Sequence, residues 1–93
     1  MTFDDKLNNY LSKISQHCCV CGDRAEIHHP RFCVGMGQRA SDWLAIPLCP
    51  RHHRTGGKGV AIHAGIRAFE DAVGKTEVEL LANTIERWHK FGR

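Results

Sequence analysis

The sequence predicts a small α+β domain, with two short strands at its centre and helices on either side. Three observations lead there. Apolar residues recur at helical spacing near both ends of the chain, in residues 2–16 and again from residue 61 onward. Between His17 and Pro50 glycines, prolines and cysteines break the chain into strand-length apolar runs. The 93 residues are 42% hydrophobic but only 8% aromatic, enough for one domain with a modest core that gains from a staple.

Taken in order, "TFDDKLNNYLSKISQ" places Phe3, Leu7, Tyr10, Leu11 and Ile14 on one face of a helix within residues 1–16. Thr2 is its expected cap, and Asp4 and Asp5 suit the positive end of the helix dipole. "AEIHH" (25–29) and "WLAIPLC" (43–49) read as strands, and "VGMGQRAS" (34–41) as the loop between them. "RTGGKG" (54–59) reads as the most flexible stretch. "AIHAGIRAFEDAV" (61–73) reads as one helix stopped by Gly74. Thr76 followed by Glu79 is a capping box that opens a last helix to about Lys90, with Val78, Leu81, Ala82, Ile85 and Trp88 as its core-facing stripe. With no repeats and no long linker, the chain divides into an N-terminal helix (1–16), a core (17–63) and C-terminal helices (64–91) of one domain spanning 1–93.

Composition excludes several classes. No N-terminal apolar run resembles a signal peptide, and none approaches the roughly 20 residues of a membrane span. The expectation is a soluble, cytoplasmic protein without membrane partners, in a reducing compartment where cysteines are metal ligands rather than disulfides. The net charge of +3 is a mild positive bias. Its distribution is sharper: Arg24, Arg31, Arg39, Arg51, Arg54 and Lys58 crowd the middle of the chain, where Glu26 and Asp42 are the only acids.

Among five cysteines and seven histidines, two half-sites stand out. Cys18 and Cys21 form Cys-x-x-Cys, and Cys49 and His52 form Cys-x-x-His. Two intervening residues let both ligands of a half-site reach one ion, so together they make a Cys₃His set for Zn²⁺. With four protein ligands that site is closed, hence structural. Cys19 is the alternative to Cys18, but its one-residue separation from Cys21 makes a poorer chelate. Cys33 reads as a small buried residue. If the half-sites meet at one ion, the segments carrying His28, His29 and His53 are drawn together as well.

At this point the chain resembles a family. Cys-x-x-Cys, a strand bearing "HH", a loop and then "LCxxHH" is similar to the HNH (His-Me finger) nucleases. Closer still is the pattern of the phage recombination-enhancement nucleases of the Ref type, similar to "HHP", "GMGQRASDWLAIPLCPRHH" and "IHAGIRAFEDAVG" in order, over roughly residues 18–75. The resemblance implies a zinc-stapled ββα-metal domain with flanking helices. It also implies a metal-dependent DNA endonuclease of phage or prophage origin, linked to recombination and directed by a RecA filament in the host cell. It gives His29 the role of general base and His28, His53 and His63 the roles of ligands to a catalytic divalent ion, Mg²⁺ or Mn²⁺ foremost, with Zn²⁺ also compatible. Where the family pattern has asparagine, Asp42 falls, and it would orient the base. "RTGGKGVAI" separates His53 from His63, so either that loop returns His63 to the metal or another group or water takes its place.

The chemistry suits such a division. An imidazole titrating near neutrality can take a proton from water, and a cation offsets charge on phosphate oxygens. Arg31, Arg39, Arg51, Arg54 and Lys58 flank these histidines and would track phosphates. No base-reading motif is present, so little sequence preference is expected. The competing expectation is a non-catalytic zinc-bound nucleic-acid module. The oligomeric state is open.

Overall fold

The computed structural model describes residues 3–31, 41 and 43–91. Thr2, Cys33, Arg39, Asp42 and nearly all of the expected 34–41 loop lie outside them. Helix α1 (Phe3–Ile14) is followed by strand β1 (Glu26–His28), strand β2 (Ile46–Leu48), a wide π-helical turn (Arg51–Thr55) and a 3₁₀ turn (Ile62–Ala64). Helices α2 (Ile66–Val73) and α3 (Glu77–Phe91) complete the chain. The result is a small mixed helix/strand domain. Among the described residues, no helix is long and apolar enough to cross a membrane.

The strands pair antiparallel with Glu26 opposite Leu48, Ile27 opposite Pro47 and His28 opposite Ile46. Directly opposed residues share a sheet face, so Glu26, His28, Ile46 and Leu48 lie on one side and Ile27 and Pro47 on the other. Each strand has three residues, shorter than its apolar run, and each is an edge. That is why Pro47, which has no N–H to donate, is tolerated mid-strand; its carbonyl accepts from the Cys19 N–H at 2.9 Å.

All three β2 residues are buried, because both faces of the sheet are covered. Ile46 and Leu48 pack with Ile62 and Phe69 and with Leu80 and Leu81 of α3. On the other side, Tyr10 and Ile14 of α1 pack with Ala45, Ile27, Trp43 and Trp88. The Tyr10 ring lies 5.3 Å from Trp43 and meets Trp88 edge-on at 5.1 Å. Each fully buried side chain of this kind stabilises the fold by roughly 1.5–3 kcal/mol.

Three expectations are corrected. The 61–73 segment is not one helix: Gly65 (φ 158°, ψ 106°) separates a 3₁₀ turn from α2, and the two pieces each bury a residue, Ile62 and Phe69, in the same core. The "RTGGKG" stretch is not simply slack. Arg54 and Thr55 complete the wide turn, and the Gly56 N–H closes it on the Arg51 carbonyl at 2.9 Å. The α3 stripe is also rotated. Val78 and Ile85 are 51% and 45% exposed and Ala82 is exposed, while Glu77, Leu80, Leu81 and Thr84 face inward with Trp88 half-buried. A carboxylate occupies an inward position, which hydrophobic periodicity cannot nominate.

The helix ends follow their signals. Thr76 N–H donates to Glu79 Oε1 at 2.9 Å, and Glu79 N–H donates to Thr76 Oγ1 at 3.2 Å, a reciprocal capping box. Gly74 ends α2 in the left-handed conformation, its N–H on the Glu70 carbonyl.

Candidate metal centres

Among the described residues, two groups of ligand-type side chains converge. In the first, one potential ligand atom each from Cys18, Cys21, Cys49 and His52 lies within 4.8 Å of every other. Cys21 Sγ is 3.7 Å from Cys49 Sγ, and His52 Nδ1 is 3.2 Å from Cys49 Sγ and 3.8 Å from Cys18 Sγ. A tetrahedron with Zn–S bonds of about 2.3 Å has S···S edges of about 3.8 Å, so these donors are spaced for one such ion. The Cys₃His cluster can therefore hold a structural metal such as zinc.

Local backbone shapes each half-site. The chain turns at Cys18–Gly22, with the Gly22 N–H on the Cys18 carbonyl (2.9 Å) and the Val20 N–H donating to Cys18 Sγ (3.4 Å). Gly22, at φ 84°, supplies the left-handed residue that the turn requires. Burial raises the Cys18 thiol pKa, but hydrogen bonds, chiefly from backbone N–H groups, outweigh it and hold the thiol below its usual range. Cys19 is different: burial and the neighbouring Cys18 push it up to about 12, and it packs against the core outside the cluster.

The second group is His28, His53 and His63, whose ring nitrogens also fall within 4.8 Å of one another. The ring centroids are 5.2 Å apart for His28 and His53, 5.5 Å for His28 and His63, and 4.2 Å for His53 and His63. Three elements deliver them: β1, the wide turn and the 3₁₀ turn. The break at Gly65 leaves His63 on its own short turn, and the "GGKG" segment folds back so that His63 reaches the other two. Burial lowers the pKa of His53, outweighing the Glu26 hydrogen bond with help from His28, and it lowers that of His63 with help from His53 and His28. Both effects favour neutral imidazoles, the form that binds a metal.

Two carboxylates, not anticipated from the sequence, hold two of these rings. Glu77 Oε2 accepts from His28 Nε2 at 2.6 Å, with both side chains 3% exposed. Glu26 Oε1 accepts from His53 Nδ1 at 2.8 Å. The other ring nitrogen of His28, Nδ1, is buried without a hydrogen-bond partner among the described residues. Leaving such a group unsatisfied costs about 1–3 kcal/mol, so a ligand there is physically apt. The one weak signal for Glu77 was its place beside the capping-box threonine, which fixes it in the first turn of α3.

The other predicted residues are distributed unevenly. His29 follows β1 directly, is half-buried and stands outside both groups. Arg31 is exposed and near enough to His63 to lower its pKa. Arg54 grips Glu26 through Nε at 2.7 Å and its terminal nitrogen at 3.2 Å, which turns part of its charge inward. Arg51 lies beside the Cys₃His cluster, where it depresses His52 after the larger effect of burial. Lys58 is exposed. Asp42 and Arg39 lie outside the described residues.

A cleft of about 600 Å³ contains none of the clustered histidines. It opens on the Pro47 face and is lined by Lys13, His17, Lys75, Arg87 and Trp88 among others, with no acid among the described residues that line it.

Fold and clusters together define a small mixed helix/strand domain with a Cys/His cluster able to hold a metal ion. Residues 5–92 match the family described as Protein of unknown function (DUF968), and the chain belongs to that family. It is also 34% identical over 76 residues to the "Uncharacterized protein YdfU" of Escherichia coli (strain K12). That match covers 78% of this chain and 20% of the relative, so the chain spans about a fifth of that protein's length. No solved structure matches.

Proposed function

We propose that this domain is a metal-dependent endodeoxyribonuclease of the HNH type, closest to the Ref-type nucleases. In this reading the Cys₃His cluster holds structural zinc and His28, His53 and His63 hold a second, catalytic divalent ion. One observation carries it: the "HH" of "PRHH" sends His52 into the cysteine cluster and His53 into a separate group of three imidazoles. A structural staple alone has no use for the second group.

The donor chemistry bears on the ion. Three imidazoles form the described ligand set, with no carboxylate oxygen directly in it. Nitrogen donors suit Ni²⁺ or Zn²⁺ better than Mg²⁺ or Mn²⁺, which favour oxygen, although Mn²⁺ accepts imidazole more readily than Mg²⁺ does. When bound, a divalent ion offsets charge on the phosphate and leaving 3′ oxygens. The chain's own residues do the rest. His29, next to ligand His28, takes the proton of the attacking water, with Asp42 its orienting partner in the family pattern. Arg31 and Lys58 approach the phosphodiester from the exposed side.

DNA is the proposed partner, with little sequence preference, and cutting directed by a RecA filament in a phage or host recombination setting is part of the same proposal. The cleft with Lys13, Lys75 and Arg87, on the sheet face away from the histidines, offers a second basic surface for a DNA backbone. Incubating zinc-loaded protein with supercoiled plasmid and Mn²⁺, with and without RecA filaments, tests it. Nicking by wild type and not by His29→Ala is expected. Plasmid binding without cutting under any divalent ion would establish the non-catalytic zinc module instead.

A further inference from the structure

We infer that Glu77 and Glu26 are the positioning residues of the three-histidine site, each fixing one imidazole so that a defined nitrogen faces a divalent ion: Nδ1 of His28 and Nε2 of His53. The inference rests on reading these histidines as ligands, and it adds which atoms bind and what aims them.

Consider His28 first. Its Nε2 donates to Glu77 Oε2, so in the neutral ring the lone pair is on Nδ1. That nitrogen is the buried, unpartnered one. Glu77 is itself held on both sides. Its Oε1 accepts from the Arg31 N–H at 3.1 Å, and its own N–H donates to Glu70 Oε2 at 2.7 Å. The capping box at Thr76 and Glu79 fixes the turn that carries it. The carboxylate has little freedom to do anything but orient the ring.

His53 is the mirror case with its nitrogens exchanged. Nδ1 donates to Glu26 Oε1, which leaves Nε2 free to bind, and Arg54 clamps both oxygens of Glu26. Glu26 and His28 alternate on one face of β1, so the strand carries both a ligand and the other ligand's support. A simple pair of buried ion pairs does not explain this. Two separate carboxylates each bind a ring on the nitrogen that leaves the second one available to the cluster. Carboxylates placed behind histidine ligands lock the tautomer, raise ligand basicity and counter the charge of the ion.

The test uses the full chain with its cysteine cluster pre-loaded with zinc, titrated with Mn²⁺ and followed by electron paramagnetic resonance. Wild type should take up Mn²⁺, and Glu77→Gln and Glu26→Gln should bind it roughly 10- to 100-fold more weakly. Glu86→Gln, on the exposed side of α3, should bind as wild type does. Nitrogen-15 NMR of the zinc-loaded, Mn²⁺-free protein should find the proton on Nε2 of His28 and on Nδ1 of His53, and Mn²⁺ should broaden the signals of His28 Nδ1 and His53 Nε2 first, which a merely structural contact would not produce. Equal affinity in wild type and both glutamine variants, or a proton on Nδ1 of His28, overturns the positioning roles and leaves the histidine site standing. No Mn²⁺ uptake by wild type overturns that reading and the inference with it. Should Glu77→Gln fail to fold by circular dichroism, Glu26→Gln, on a part-exposed carboxylate, decides the question.

Discussion

His52 and His53 are neighbours in the chain, yet their rings serve different clusters: His52 Nδ1 lies 3.2 Å from Cys49 Sγ, and His53 Nδ1 lies 2.8 Å from Glu26 Oε1. Consecutive residues on a helical turn point to different sides, so a single wide turn at Arg51–Thr55 feeds both sites. The two sites are thereby tied mechanically. Distortion of that turn disturbs both, whereas removal of one ring disturbs one.

The first prediction separates them. His52→Ala should lose zinc and most of its folded stability, because a closed four-ligand site contributes folding energy directly. His53→Ala should keep zinc at wild-type stoichiometry, keep its circular dichroism and lose Mn²⁺-supported nicking. Zinc content by atomic emission, measured beside the nicking assay, checks both. Equal zinc loss in the two variants would show that the turn does not divide the labour as described.

A second prediction concerns the adjacent thiols. Cys18→Ser should release zinc, and the protein should melt without a cooperative transition after chelation. Cys19→Ser should retain zinc, since that thiol is raised to about 12 by burial and packs outside the cluster. The cost there is a polar group in an apolar place, about 1–3 kcal/mol, seen as a lower Tm with full zinc content. Titrating zinc release from each variant with a chromogenic chelator distinguishes the two thiols.

The third prediction concerns His29. As the proposed general base it should lower the nicking rate by about 10²- to 10⁴-fold when replaced by alanine. Mn²⁺ affinity should stay within a factor of a few of wild type, because His29 stands outside the three-ring group. His28→Ala should do the reverse in order of cause, abolishing Mn²⁺ uptake first and turnover as a consequence. A His29→Ala variant that lost Mn²⁺ binding would exchange the roles of the two adjacent histidines.

How much of this was legible beforehand divides along a physical line. The half-sites Cys18/Cys21 and Cys49/His52, the capping box and the Gly74 stop are local signals, set by spacings of a few residues, and each appears in the structure where the sequence puts it. Glu77 and His28 are far apart in the chain, and no spacing rule pairs them. Glu77 also displaced the apparent stripe of α3. Hydrophobicity alone turns Val78 and Ile85 inward, whereas the helix seats Leu80 and Leu81 in the core and turns Glu77 onto His28. The split of 61–73 was hidden for a similar reason: Gly65 is tolerable within a helix, and only its backbone angles in the folded chain show it as a break.

A fourth prediction follows from the cleft on the Pro47 face. If Lys13, Lys75 and Arg87 contact the DNA backbone, each alanine substitution should weaken binding equally on all sequences and reduce the log–log salt slope by about one. Fluorescence anisotropy on two unrelated duplexes at several salt concentrations measures this. Unchanged slopes in all three variants would confine DNA contact to the histidine face with Arg31 and Lys58.

The last prediction concerns Gly56, which joins the wide turn to the loop leading to His63. Its N–H closes the turn on the Arg51 carbonyl, and its φ of −79° is one that any residue adopts. The constraint is space. A Cβ built there would lie 2.5 Å from both the Arg51 oxygen and Val60 Cγ1, closer than real contacts allow. Gly56→Ala must therefore open the turn or move Val60. Val60 leads directly into Ala61 and Ile62, which are buried, so the displacement passes to the 3₁₀ turn that presents His63. Overpacking of this kind typically costs about 1–3 kcal/mol. The expected phenotype is a lower Tm with Mn²⁺ affinity reduced as His63 leaves its neighbours, and zinc loosened only to the extent that the turn carrying His52 opens. Gly57→Ala is the control, because a Cβ there meets nothing within 4 Å. It should lower Tm through its positive φ of 79° while leaving Mn²⁺ binding intact, and a loss of Mn²⁺ binding equal to that of Gly56→Ala would place the sensitivity in backbone strain rather than in the close packing at Gly56.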